Sequence, residues 1–249
     1  MRHIKEYNQL FENTQELTQE QKNWLDECLC TKGGTWKVNP QTGLVDVMDS
    51  FSCSRQDLDS FKGVRFGQVS GYFSCSHNAL TSLDGAPQWV GLYFSCSYNN
   101  LTSLEGGPQF VGLIYQCDHN SLTSLNGSPQ KVGGSFDCSN NNLASLEGAP
   151  LSVEGSFIFS RNNVTSLDGA PQRVGRGVSC YGNPIGYSSM IGVIESMSKH
   201  GISLEEAVTK RWRYIPEEDR AYLAKYNPKL TPEEVKGYEA LGRLKKRVI

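Results

Sequence analysis

The chain has 249 residues, 20% of them charged, and a formal net charge of −2; that balance argues against a surface built to neutralise nucleic-acid phosphates. No apolar run reaches the ~20 residues needed to span a bilayer, so the composition excludes a membrane-spanning helix. The opening MRHIKEYNQLFEN lacks the apolar stretch of a secretion signal, so an intracellular protein with reduced cysteines is expected.

The N-terminal segment, residues 1–50, reads as a cap. Ile4, Tyr7, Leu10 and Phe11 recur at helical spacing, and Trp24, Leu25, Cys28 and Leu29 do so behind a capping box formed by Thr18 and Gln21, which predicts two helices. After Gly33 and Gly34, the runs Thr35 to Val38 and Leu44 to Met48 flank the turn Asn39 to Gly43 and read as a hairpin. These elements are expected to cover the first edge of the region beginning at Phe51, since an uncovered sheet edge invites aggregation.

From residue 51 to 185 the chain repeats itself. Cys75, Cys96, Cys117 and Cys138 stand 21 residues apart, and the same slot then holds Phe159 and Cys180. Asn78, Asn99, Asn120, Asn141, Asn162 and Asn183 keep that period without exception. Leu80, Leu101, Leu122, Leu143 and Val164 follow it, as do Leu83, Leu104, Leu125, Leu146 and Leu167. Each unit closes on Pro87, Pro108, Pro129, Pro150 or Pro171, followed by Val90, Val111, Val132, Val153 or Val174. A fixed period near 20 residues predicts a solenoid whose units stack only on their neighbours. Strand alternation turns Phe94 and Cys96 inward and Ser95 and Ser97 outward. The Asn column is expected to satisfy the backbone of the turn leaving each strand, and the Gly and Pro between Leu104 and Val111 suit a tight irregular return.

The consensus F-x-C-x-x-N-x-L-T-S-L-x-G-x-P-x-x-V-G resembles the leucine-rich-repeat pattern L-x-L-x-x-N-x-L, with aromatic residues and Cys in the leading apolar slots. The run LTSLxGxPxxVGG is similar to repeats in proteins of tailed bacteriophages, and the N-x-L-x-x-L…P spacing resembles the compact repeats of secreted bacterial effectors. The resemblance covers Phe51 to Ile185 and departs at Phe159, at Glu154 for the usual Gly, at Gln56 for Asn, and at one residue inserted before Val69. It implies an α+β fold: a leucine-rich-repeat solenoid with a parallel sheet on its concave face, an N-terminal helix and hairpin cap, and a C-terminal helical cap. It implies a binding surface without naming a partner.

Residues 186–249 turn helical. Met190, Ile191, Ile194 and Met197 mark one helix, and Ser203 with Glu206 opens another carrying Leu204, Ala207, Val208 and Trp212. Pro216 starts a segment with Tyr222, Leu223 and Tyr226; Thr231, Pro232 and Glu234 start one with Val235, Tyr238 and Leu241. The charge from Lys199 onward is +4, against −6 for the rest. Lys and Arg in the closing GRLKKRVI complement a helix dipole, with nucleic-acid contact through these helices as a lesser alternative.

Residue types that could carry chemistry do not converge. Thiols strung ~4.8 Å apart along a line cannot meet on one tetrahedral zinc. Cys28 and Cys30 read as one packed and one exposed thiol. His77 and His119 share a column with Tyr98 between them, so their Cα atoms lie roughly 10 Å apart, too far to share a metal. The outward serines recur in nearly every unit as filler, and the acidic row Asp84, Glu105, Glu147 and Asp168 reads as a solvated edge. No enzyme activity, cofactor or metal is expected.

Departures from the serine filler are where the sequence has been used for something besides folding. They gather on the sheet face at Tyr72, His77, Tyr93, Tyr98, Ile114, Gln116, Asp118, His119, Asp137, Ile158, Arg161 and Tyr181. Tyr and Arg are enriched at binding hot spots, so these residues are the candidate site for a protein partner, of host or phage. The expected function is non-enzymatic binding in the cytoplasm, that of the host cell if the chain is phage-encoded; the alternative is a structural or accessory role in a virion. A second candidate surface lies around Trp212, Arg213 and Tyr214.

Overall fold

A computed structural model describes residues 16–165, 167–184, 224 and 229–236. Two compact units are distinguished, residues 1–164 with 168–183, and residues 165–167 with 184–249.

The first unit is a parallel β-solenoid of about six turns. The helix α1, Gln19–Cys28, opens with the expected capping box: the Thr18 hydroxyl accepts from the Gln21 amide while the Gln21 side chain accepts from the Thr18 amide. The hairpin follows as β1 (Trp36–Val38) and β2 (Val45–Val47), paired antiparallel.

Each turn of the solenoid then supplies two short strands, one to each of two sheets. The Phe/Cys segments give β3 (Phe51–Ser52), β5 (Phe73–Ser74), β7 (Phe94–Ser95), β9 (Tyr115–Gln116), β11 (Phe136–Asp137), β13 (Ser156–Ile158) and β15 (Gly177–Ser179), a seven-stranded parallel sheet in that order. The Val segments give β4 (Phe66–Val69), β6 (Trp89–Val90), β8 (Phe110–Val111), β10 (Lys131–Val132), β12 (Ser152–Val153) and β14 (Arg173–Val174). With the hairpin they make a second sheet of eight strands, ordered β1-β2-β4-β6-β8-β10-β12-β14.

This second sheet corrects the expectation of an irregular return. The Val90, Val111, Val132 and Val153 side chains are fully buried between the sheets, and the backbone around them pairs with the turns on either side. The core is thus a column of Phe, Cys, Leu and Val, with Phe51, Phe73 and Phe94 stacked ring on ring at 5.5 and 5.9 Å.

The irregularities in the repeat have structural counterparts. The residue inserted before Val69 is absorbed in β4, where Val45 pairs with Phe66 but Val47 pairs with Val69, a β-bulge. Gln56, standing where other units have Asn, turns to the cap and accepts a 2.8 Å hydrogen bond from Trp24 Nε1. Glu154, replacing Gly, bridges Lys131 and Arg173 at 3.3 Å each. The Phe159 ring fills the Cys slot against Phe157, with centroids 5.2 Å apart.

The helix expected over Ile4 to Phe11 and, Ala224 apart, those expected over residues 190–226, including Trp212, lie outside the described residues. In the second unit Pro232–Lys236 is helical, and Thr231 with Glu234 forms its capping box. Among the described residues no helix is long and apolar enough to cross a membrane.

Candidate functional site

Two neighbouring columns leave each strand of the seven-stranded sheet, and they behave differently. The Asn column is scaffold. The Asn99 amide donates to the Cys75 and Cys96 carbonyls at 3.0 Å, and its Oδ1 accepts from the Leu80 amide at 3.0 Å. Asn120, Asn141 and Asn162 repeat the pattern one turn on each time. Each side chain ties two turns together and satisfies three buried backbone groups. The thiols add a weaker ladder, Cys96 Sγ donating to the Gln116 carbonyl at 3.5 Å and Cys117 to that of Asp137 at 3.3 Å. Burial pushes the thiols of Cys53, Cys75, Cys96, Cys117 and Cys138 above their ordinary range, and none of these five is in a disulfide.

The residue just before each Asn sits in the left-handed region. Arg55, His77, Tyr98, His119, Asn140 and Arg161 have φ between 54° and 60°, and Gly182 ends the column at 73°. Strand alternation alone would not have carried Tyr98 to the surface; its φ of 56° reverses the chain there and turns the side chain out, 45% exposed. Gly and Asn suit this conformation, whereas other residues adopt it at a cost of about 1 to 2 kcal/mol. The solenoid uses Asn140 and Gly182 at two places in the column and larger side chains at the others.

Those bulky side chains form a stack. His77 and Tyr98 lie 4.3 Å apart with 7° between ring planes, and Tyr98 and His119 lie 4.1 Å apart with 9° between planes. Arg55 extends the row, its guanidinium 3.5 Å from His77 Nε2. His119 Nδ1 is 2.7 Å from Asp118, whose other oxygen accepts from the Ser97 hydroxyl. On the neighbouring strand Asp137, paired in register with Gln116, accepts from the Ser139 amide at 2.9 Å. Burial pushes the Asp137 carboxyl above the ordinary range; the hydrogen bonds from Ser139 oppose that shift and Asp118 adds to it.

The serines between are not exposed filler, which corrects the expectation for this face. Ser95 and Ser97 are 6% exposed and Ser139 is 7% exposed. Their hydroxyls pair across turns, Ser76 with Ser95 at 2.7 Å and Ser54 with Ser74 at 2.8 Å. Hydroxyls packed this closely cover one another's oxygens from water and supply one another with hydrogen-bond partners.

Of the other candidates, Tyr72 and Tyr93 form a second stack, 4.6 Å apart with 5° between planes. The Cys30 sulfur beside its hydroxyl, together with partial burial, pushes the Tyr72 phenol up to about 12. Ile114 continues that column, 40% exposed. Arg161 and Tyr181 lie apart from both stacks, the guanidinium 5.7 Å from the ring centroid. Ile158 pairs in register with Asp137 and is half-buried. Among the described residues no group of three or more His, Cys, Asp or Glu is placed to hold a metal ion.

Sequence reasoning missed a further exposed set. Trp89 and Phe110, on the eight-stranded sheet, stack at 5.5 Å with 4° between planes and are 39% and 44% exposed. Leu92 and Leu113, in the turns after those strands, are 43% and 47% exposed. The signal is present in the repeat: the matching positions elsewhere are Gln68, Lys131, Ser152 and Arg173, and Gly71, Gly134, Gly155 and Arg176. An irregular return has no columns to compare, so the expectation of one hides it.

No protein-family model matches the chain, and neither a curated protein nor a solved structure matches it.

Proposed function

We propose that this chain is a non-catalytic, phage-encoded protein-binding module of leucine-rich-repeat type. It engages a host or phage protein through the outer face of the seven-stranded sheet, centred on His77, Tyr98 and His119 with Asp118 and Asp137 beside them. The observation that carries this reading is the left-handed column. Asn140 and Gly182 show that the repeat can meet that backbone conformation with residues suited to it, yet three consecutive turns hold a His, a Tyr and a His there. Side chains kept against a backbone preference mark positions used for something other than folding. Planar rings held in a stack also lose little entropy when a partner covers them.

The test is affinity capture from host lysate followed by mass spectrometry, with the full chain compared against the triple variant His77→Gly, Tyr98→Gly, His119→Gly. The wild type is expected to retain a defined protein that the variant loses, with the variant still folded. Retention of the same protein by the folded variant would sink the assignment of this face.

A further inference from the structure

Trp89, Leu92, Phe110, Leu113 and Ile114 make one exposed apolar patch at the corner where the eight-stranded sheet hands over to the seven-stranded one. Trp89 with Phe110 and Leu92 with Leu113 occupy equivalent positions in two consecutive turns, while Ile114 matches Tyr93, and from Gln88 to Gln116 the only ionised side chain is Glu105, which belongs to the opposite loop. An exposed patch of this kind marks a contact surface. Its pattern says what fits.

Along the solenoid axis the ring column reads Gln68, Trp89, Phe110, Lys131, and the column beside it reads Gly71, Leu92, Leu113, Gly134. Both are palindromic in character about the midpoint between the two turns: polar, aromatic, aromatic, polar, and glycine, leucine, leucine, glycine. A two-fold axis lying in the interface and parallel to the strands keeps each column opposite itself while reversing the direction of the solenoid. That operation sets Trp89 of one copy against Phe110 of the other and Leu92 against Leu113. It sets the neutral Gln68 against Lys131, so no like charges meet beside the apolar centre. A self-complementary surface of this kind is what a closed two-fold dimer needs. Beyond the binding face described above, we infer that this patch pairs with a second copy of the chain as an isologous dimer.

Sedimentation equilibrium of the full chain over a concentration series tests this, with the variant Trp89→Gln, Phe110→Lys, which installs residues the repeat itself uses at those positions. The wild type is expected to approach twice the monomer mass, and the variant to associate roughly tenfold or more weakly. Should the ring variant lose its circular dichroism, Leu92→Gly with Leu113→Gly, again residues native to that column, decides instead. A wild type that stays monomeric throughout the series overturns the proposal and leaves the patch to a different protein, as does a folded variant that dimerises like the wild type.

Discussion

His77 and Asn78, Tyr98 and Asn99, His119 and Asn120 are adjacent in the chain, yet the two columns they form obey different rules. The Asn column is identical from Asn78 to Asn183 and bonds to buried backbone in every turn. The column before it contains Arg, His, Tyr, Asn and Gly in one shared left-handed conformation. Invariance in the first follows from the backbone, since nothing else offers two donors and an acceptor at that reach. Variation in the second cannot follow from the backbone, which would favour Gly or Asn throughout. In a solenoid, then, constancy reports folding and departure from it reports use.

The comparison can be broken or sharpened by substitution. The largest effect is expected from Leu101→Ala, because Leu101 is fully buried between stacked turns; the loss should be about 2 to 5 kcal/mol in denaturant unfolding, spread through the coupled units. An unchanged midpoint would remove Leu101 from the spine. Next comes Asn99→Ala, which takes the acceptor from the Leu80 amide and one of two donors from each of the Cys75 and Cys96 carbonyls, to which Asn78 and Asn120 still donate. About 1 to 3 kcal/mol should go, with partner capture by the folded protein intact. Capture lost at unchanged stability would make Asn99 part of a site and abolish the distinction between the columns.

A smaller effect sharpens the rule inside the core. Tyr115 stands where other units have Phe, and its buried hydroxyl has no hydrogen-bond partner among the described residues. The position that is Ala86 in one turn and Ala149 in another is Gly107 in this one, and a methyl group there would come within 3.1 Å of the Tyr115 oxygen, besides 2.9 Å of the Leu104 carbonyl oxygen and 3.0 Å of Leu83 Cδ1. The two departures therefore form a pair. Tyr115→Phe should stabilise the fold by about 1 kcal/mol by removing an unsatisfied polar group. Gly107→Ala should destabilise the wild type more than the Tyr115→Phe variant, a coupling of about 0.5 to 3 kcal/mol. Additivity in that double-mutant cycle would separate the two residues.

The smallest effect is the most telling for function. Tyr98→Gly relieves about 1 to 2 kcal/mol of left-handed strain and gives up about as much in ring stacking against His77 and His119. Its unfolding midpoint should stay within about 1 kcal/mol of the wild type. A large loss of stability would mean that the stack is a strut like the Asn column, and the binding face would lose its main support.

The sequence by itself determined the turn length, the buried spine of Phe, Cys, Leu and Val, the Asn ladder, the hairpin and the Thr18 capping box, because each depends on spacing within one or two turns. The tertiary structure decided the rest. Pairing of Val90 with Val69 and Val111 made a second sheet of the return, since backbone partners 21 residues away are invisible to local pattern. It also exposed Trp89 and Phe110 together and sank Ser95 and Ser97 into a hydroxyl row. Most of all, it bent the chain at His77, Tyr98 and His119 into a positive φ that alternation does not contain, and laid the three rings, which the 21-residue period had already set in one column, parallel at 4.3 and 4.1 Å.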